Sequence, residues 1–303
     1  MKFEFNKPKV RLPARVGEYI IDLKSGSGSY ASVYRGYRPN GDRNIFYALK
    51  FMNKRHTLET PDRKRHFQHE LQVMSMVSHP NVMGKLGFFE TEEDFVIVMK
   101  YCGNGNLYDL IVSQDYLPEP KAVVFFQEIA SGMRALNEKN VCHRDIKPQN
   151  IFVQAGGFLV IGDFGFARIL NHQEDLLASD LGTPLTKAPE FFERKSDSKL
   201  LYTSKVDIWA LGCVFYFILF KKFPFIGSSH LELYQNMVKQ CGSKLDFPKM
   251  RTEPVSEETK DLLTRMLEKD EKKRIGWNEF FVHPLFSKES VQPLGASDLK
   301  IPK

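Results

Sequence analysis

The strongest constraint on this chain is the run His143, Arg144, Asp145, Ile146, Lys147, Pro148, Gln149, Asn150. Proline cannot sit in a helix interior, so the run is a loop. Its residue types are those of a chemical site rather than of a core. Any fold for this chain has to present that loop.

The sequence around it divides into two unlike halves. Up to about residue 100, short β-rich runs dominate at 19–23, 32–37, 46–51, 88–90 and 95–100, with Gly, Asn and Asp between them. That pattern predicts an antiparallel sheet. One helical segment interrupts it at 62–77, where Phe67, Leu71, Met74 and Val77 recur at helical spacing. After Gly103-Asn104-Gly105, helical patterns take over at 121–138, 206–220 and 257–267. The fold class expected is α+β, with a small antiparallel β-rich lobe carrying one main helix and a larger helical lobe. The length of 303 residues suits two cores better than one.

Bulk properties exclude several classes. The apolar run Ile208–Phe220 falls short of the roughly 20 residues a membrane span needs, so it reads as a core helix. Met1-Lys2-Phe3-Glu4-Phe5 is charged and followed by no apolar stretch, which argues against a signal peptide. Cys102, Cys142, Cys213 and Cys241 show no paired spacing, so neither a disulfide framework nor a zinc site is expected, and a reducing compartment is. The net charge of +6 fits a handler of polyanions without diagnosing one. Lys54, Arg55, Arg63, Lys64 and Arg65 form a basic cluster, either solvated surface or a site for a phosphate or acidic partner. It has no interleaved aromatics, so no nucleic-acid binding is expected.

Five constellations carry chemistry. Gly26, Ser27, Gly28 and Val33 lie between two predicted strands, where glycines let backbone N–H groups approach phosphates; a plain hairpin turn would read much the same. Lys50 follows Ala48-Leu49 in an apolar strand, and a Lys50–Glu70 ion pair would aim its ammonium at nucleotide phosphates. Taken alone, Glu70 reads as a surface carboxylate. In the loop, Asp145 is placed to accept a hydroxyl proton, Asn150 to ligand magnesium and Lys147 to neutralise phosphoryl charge. Asp163-Phe164-Gly165 follows a strand-like stretch, with Asp163 as a second magnesium ligand. Asp207 opens the apolar helix and needs partners, for which the backbone amides of the loop are suited. Arg274 is the expected mate of Glu190.

In this order, the glycine loop, lysine, helix glutamate, H-R-D-x-K-x-x-N, D-F-G, A-P-E, D-x-W-x-x-G and distal arginine resemble the eukaryotic protein kinases across about residues 15–288. Lys147 and Thr183 resemble the serine/threonine class. Ala31, Met99, the Lys147–Asn150 stretch and Asp163–Arg168 are most like the autophagy-initiating ULK group. The resemblance implies an N-lobe at 15–102, a C-lobe at 103–288, and tails at 1–14 and 289–303. It implies ATP in the cleft between the lobes, Mg2+, and protein substrates with serine or threonine acceptors. It also implies a cytoplasmic, monomeric catalytic domain with no membrane span. Ala48 and Phe152 would sandwich adenine, Met99 would be the gatekeeper, and Lys100–Cys102 would form the hinge. Asn106 would join the nucleotide contacts.

Regulation follows the same resemblance. Arg144 beside Asp145 would call for an activation-segment phosphate, with Ser179 the first candidate, Thr186 the second, and Thr183 a contact to Asp145. Asn106 and Gln149 stand where arginine-directed kinases carry acids, so no strong need for an arginine upstream of the acceptor is expected, and more reliance on apolar contacts. Thr186 and Lys187 depart from the family pattern beside the substrate groove. The rival readings are a scaffold with a kinase fold, which would normally lack Lys50, Asp145 or Asp163, and a small-molecule kinase of the same fold.

Overall fold

Residues that alternate between apolar and polar, rich in Val, Ile, Tyr and Phe, become strands because alternate side chains then share one face. The computed structural model describes residues 12–27, 31–115, 117–171, 183–192, 202–248 and 254–286. It forms two units, one holding residues up to Phe67 together with Gly84–Tyr101, the other Gln68–Met83 together with the chain from Cys102 onward.

The first unit is a six-stranded antiparallel sheet: β1 (Ala14–Val16), β2 (Tyr19–Ser27), β3 (Ala31–Tyr37), β4 (Tyr47–Asn53), then, after α1 (Lys54–Thr57) and α2 (Pro61–Met76), β5 (Lys85–Glu90) and β6 (Asp94–Lys100). The spatial order is β1-β2-β3-β4-β6-β5. One face buries Tyr19, Ile21, Leu49, Val96 and Val98. The opposite face packs Phe95 against Phe67 of α2, ring centroids 4.6 Å apart. Five of these strands match the sequence expectation. The sixth, β1, is three residues long and is fixed by pairing Val16 with Tyr19 across a turn where Gly17 takes φ +59°.

The second unit carries α3 (Leu107–Ser113), α4 (Glu119–Asn137), the short strands β7 (Val141–Cys142), β8 (Ile151–Val153), β9 (Leu159–Ile161) and β10 (Arg168–Ile169), and then α5 (Lys205–Phe220), α6 (His230–Gln240), α7 (Glu257–Met266) and α8 (Trp277–Phe281). Every residue of α5 from Val206 to Leu219 is buried, as its all-round apolar sequence requires. Phe126 of α4 stacks on Phe215 of α5 at 4.1 Å, an aromatic contact worth about 0.5–1.5 kcal/mol beyond burial. No helix among the described residues is long and apolar enough to cross a membrane.

Candidate active site

The loop at 143–150 leaves β7 in a conformation that needs outside support. Arg144 has φ +66°, the left-handed region that L residues avoid at a cost of order 1–3 kcal/mol. Asp207, in the first turn of α5, offsets that strain. Its carboxylate accepts the backbone N–H of His143 at 2.6 Å and of Arg144 at 2.8 Å. This is the partnership the sequence called for. Burial pushes the Asp207 carboxyl above the usual range, with His143 and the two amides pulling back.

His143 ties the loop to its neighbours. Its Nδ1 accepts the Asp145 N–H at 3.3 Å, which leaves Nε2 to donate to the Gly162 carbonyl at 3.0 Å. The ring also packs on buried Phe164, centroids 5.3 Å apart. This positioning role, invisible in the bare motif, depends on which carbonyl the ring meets.

Asp145 is 4% exposed and closely held. Lys147 Nζ donates to Oδ2 at 2.7 Å and Asn150 Nδ2 to the same oxygen at 2.9 Å. Thr183 donates its hydroxyl to Oδ1 at 3.0 Å and accepts from Lys147 Nζ at 2.8 Å. A carboxylate offers about four lone-pair sites. The three donors leave one on Oδ1 for an incoming hydroxyl.

Asn150 and Asp163 are brought to one end of the β8–β9 hairpin by its register. Ile151 pairs with Ile161, and the next pair away from the turn is joined by the Gly162 N–H donating to the Asn150 carbonyl at 2.9 Å. Asp163 follows at φ +60°, exposed to solvent. With its amide nitrogen committed to Asp145, the Asn150 amide oxygen is left as an acceptor. An amide oxygen and a carboxylate are hard donors of the kind magnesium takes alongside nucleotide phosphates and water, so these residues fit that ion. Glu70 is buried at 3% exposure on the Phe67–Val77 face of its helix, so it is no surface carboxylate. A Cβ on Gly165 would lie 4.0 Å from its Oε2.

In the first unit, register aligns the expected nucleotide residues. Gly26 pairs with Val33, and Val33 with Lys50, a row across β2, β3 and β4 on one face of the sheet. Ala48, two residues from Lys50 on that same face, stands opposite Met99. Ser27 ends β2, Lys100 ends β6, and Gly28 lies outside the described residues. In the second unit Asn106 bridges to Phe152, whose ring rests on Gly162 where a Cβ would come within 2.9 Å. Cys102 is the residue at which the second unit resumes. Asn106 is also the N-cap of α3: its Oδ1 accepts the Asp109 N–H at 3.1 Å and its Nδ2 donates to Asp109 Oδ2 at 2.8 Å. Asp109 thus supplies a carboxylate that attention to Asn106 alone passes over.

Of the regulatory candidates, Ser179 lies outside the described residues. Thr186 is 4% exposed, with its hydroxyl directed at the Thr183 carbonyl at 3.4 Å, so in this conformation it is closed to a modifying enzyme. Arg144 donates from Nε to the Phe166 carbonyl at 2.7 Å and from a terminal nitrogen to the Tyr202 hydroxyl at 3.4 Å. Arg274 meets Glu190 with two bonds of 2.8 and 2.9 Å, the expected ion pair. In the basic cluster, Lys54 pairs with Glu90, Arg63 with Glu59 and Arg65 with Asp62, so much of its charge is balanced locally.

The sequence matches the protein kinase domain family over residues 19–286. The chain belongs to the protein kinase family. It is 34% identical to the serine/threonine-protein kinase ULK3 of Xenopus laevis over 89% of this chain and 56% of that protein. It is 32% identical to the serine/threonine-protein kinase ATG1a of Arabidopsis thaliana, over 91% and 43%, and 33% identical to the serine/threonine-protein kinase cds1 of Schizosaccharomyces pombe, over 94% and 62%. The chain spans about half the length of these relatives. For a kinase, ATP, a divalent metal ion and a protein substrate are the family's reactants.

Proposed function

We propose that this kinase transfers the γ-phosphoryl group of ATP to serine and threonine hydroxyls of protein substrates. The observation that carries the reading is the Asp145 carboxylate, held by Lys147, Asn150 and Thr183 with one lone pair of Oδ1 to spare. That lone pair accepts the proton of the attacking hydroxyl. Lys147, bonded to both Asp145 and Thr183, supplies positive charge where phosphoryl charge shifts. Lys50 serves the α- and β-phosphates, with Glu70 the carboxylate that the resemblance assigns to it. Gly26, Ser27, Gly28, Val33, Ala48, Met99, Lys100, Cys102, Asn106 and Phe152 serve the nucleotide. Mg2+, held by Asn150 and Asp163, neutralises phosphate charge when bound.

A scaffold would normally lack Lys50, Asp145 or Asp163, and all three are present. We place the chain with the ULK group, in autophagy signalling in the cytoplasm, acting as a monomeric catalytic domain. Ser179 is the phosphorylation site we assign to its control, with Arg144 as the receiving cation; unchanged activity of Ser179→Ala would remove that assignment. The main test is phosphate transfer from radiolabelled ATP to a generic protein substrate. Wild type labels the substrate and Asp145→Asn does not; equal labelling by both would defeat the reading.

A further inference from the structure

The sequence holds two Thr-Pro steps and no Ser-Pro step. Thr183 of the second is committed to Asp145 and Lys147. Thr60 of the first lies within the basic cluster, between the end of α1 at Thr57 and the start of α2 at Pro61. Leu58, Glu59, Thr60, Pro61 and Asp62 are all exposed, so a modifying enzyme can draw this stretch into its own site. Pro61 opens α2, where a missing N–H costs nothing. Thr60 is the cap before it: its hydroxyl accepts the Arg63 N–H at 3.3 Å and its carbonyl the Lys64 N–H at 3.1 Å.

The surroundings suit a phosphate better than a neutral hydroxyl. A bond of 3.3 Å is long for an N–H to oxygen contact, and the first turn of a helix carries partial positive charge. From Lys54 to Arg65 the chain places five lysines and arginines against two acids, Glu59 and Asp62. Those acids already have cations, Glu59 with Arg63 and Asp62 with Arg65. A phosphate adds about −1.5 to −2, so the stretch keeps a net charge of about +1 after modification. Arg63 and exposed Lys64, three and four positions on, are the helical neighbours of Thr60. The helix so capped carries Glu70 at 3% exposure.

We propose that Thr60 is a phosphorylation site for a separate, proline-directed protein kinase, and that the phosphate raises activity by fixing the first turn of the helix that carries Glu70. The Thr60 oxygen forms the new bond to the γ-phosphorus of ATP, the bond to ADP breaks, and the hydroxyl proton passes to the base of the modifying kinase. Only the effect on activity rests on the reading of this chain as a protein kinase.

The test incubates the Asp145→Asn protein, which cannot label itself on that reading, with ATP and a cyclin-dependent kinase, and locates phosphate by fragment mass spectrometry. Thr60 should be labelled, and Thr60→Val should lose that label. In wild type so treated, hydrogen exchange at Arg63 to His66 should slow about two- to five-fold, the worth of a charge at a helix terminus. kcat/KM on a peptide substrate should rise by a similar factor. Label confined to other residues overturns the proposal. So does label at Thr60 that wild type acquires unaided while Asp145→Asn, given the added kinase, does not. Label at Thr60 without slower exchange, or with slower exchange but no rise in the rate of an active protein, overturns it as well. Label and slower exchange in a wild type that transfers no phosphate with or without treatment overturn the kinase reading and leave the site standing.

Discussion

Thr183 donates its hydroxyl to Oδ1 of Asp145 at 3.0 Å and accepts from Lys147 at 2.8 Å, so one side chain joins the carboxylate to its neighbouring cation. Thr183→Val keeps the shape and removes both bonds. Hydrogen bonds to charged groups contribute about 1.5–3 kcal/mol, so kcat on a peptide substrate should fall roughly 10- to 100-fold. Thr183→Ser keeps the hydroxyl and should stay within a few-fold of wild type. Equal rates for Val and Ser would show that this hydroxyl does not position Asp145.

What could be read from the sequence follows how local each cause is. The partnership of Asp207 with the loop was legible because a lone acid opening an apolar helix needs donors, and Pro148 marks a loop able to supply them. Glu70 alone reads as surface, and only the burial of Phe67, Val73 and Val77 on its helix face shows otherwise. α3 and α6 escaped detection because α3 spans only seven residues and α6 keeps just Leu233 and Met237 buried. β1 and the two-residue strands β7 and β10 exist through their partners, as in the pairing of Cys142 with Arg168. The contact of His143 with the Gly162 carbonyl joins residues that no local pattern connects.

Arg274 is 1% exposed, bidentate to Glu190, and its guanidinium lies 5.1 Å from the centre of the Trp209 ring. Arg274→Met strands Glu190 and should cost roughly 3–5 kcal/mol in urea unfolding. Arg274→Lys loses the planar fork and should also destabilise, by less. The double variant Arg274→Met, Glu190→Leu should recover much of the loss, since no buried charge is then left unpaired. A double variant as weak as the single one would show that the packing of Arg274 on Trp209 matters more than the charge.

Gly132 lies inside α4, where alanine would ordinarily gain about 1 kcal/mol. Here a Cβ would stand 2.6 Å from the Asn81 carbonyl oxygen and 3.0 Å from Ile161 Cδ1. That carbonyl accepts the Ile161 N–H at 2.9 Å, and the Asn81 side chain donates to the Leu159 carbonyl at 2.8 Å, so Asn81 straps β9 in place. Gly132→Ala should therefore destabilise by about 1–3 kcal/mol. Hydrogen exchange should quicken at Leu159 and Ile161. A gain in stability would show that α4 can shift away from the strap.

Glu128 accepts the Leu159 N–H at 2.7 Å from a largely buried position, and burial raises its carboxyl above the usual value, with the Leu159 bond pulling it down. The folded chain then holds this proton more tightly than the unfolded chain. Between the unfolded value near 4.3 (about the value for a free glutamate) and the higher folded value, the folded state binds more protons, so this group's contribution to stability falls as pH rises. Glu128→Gln cannot ionise, and its side-chain oxygen can still accept from Leu159. The difference in Tm, variant minus wild type, should grow as pH climbs through that window and level off above it. A difference that stays flat across the window would mean that Glu128 ionises in the fold as readily as in water, the Leu159 bond fully offsetting burial.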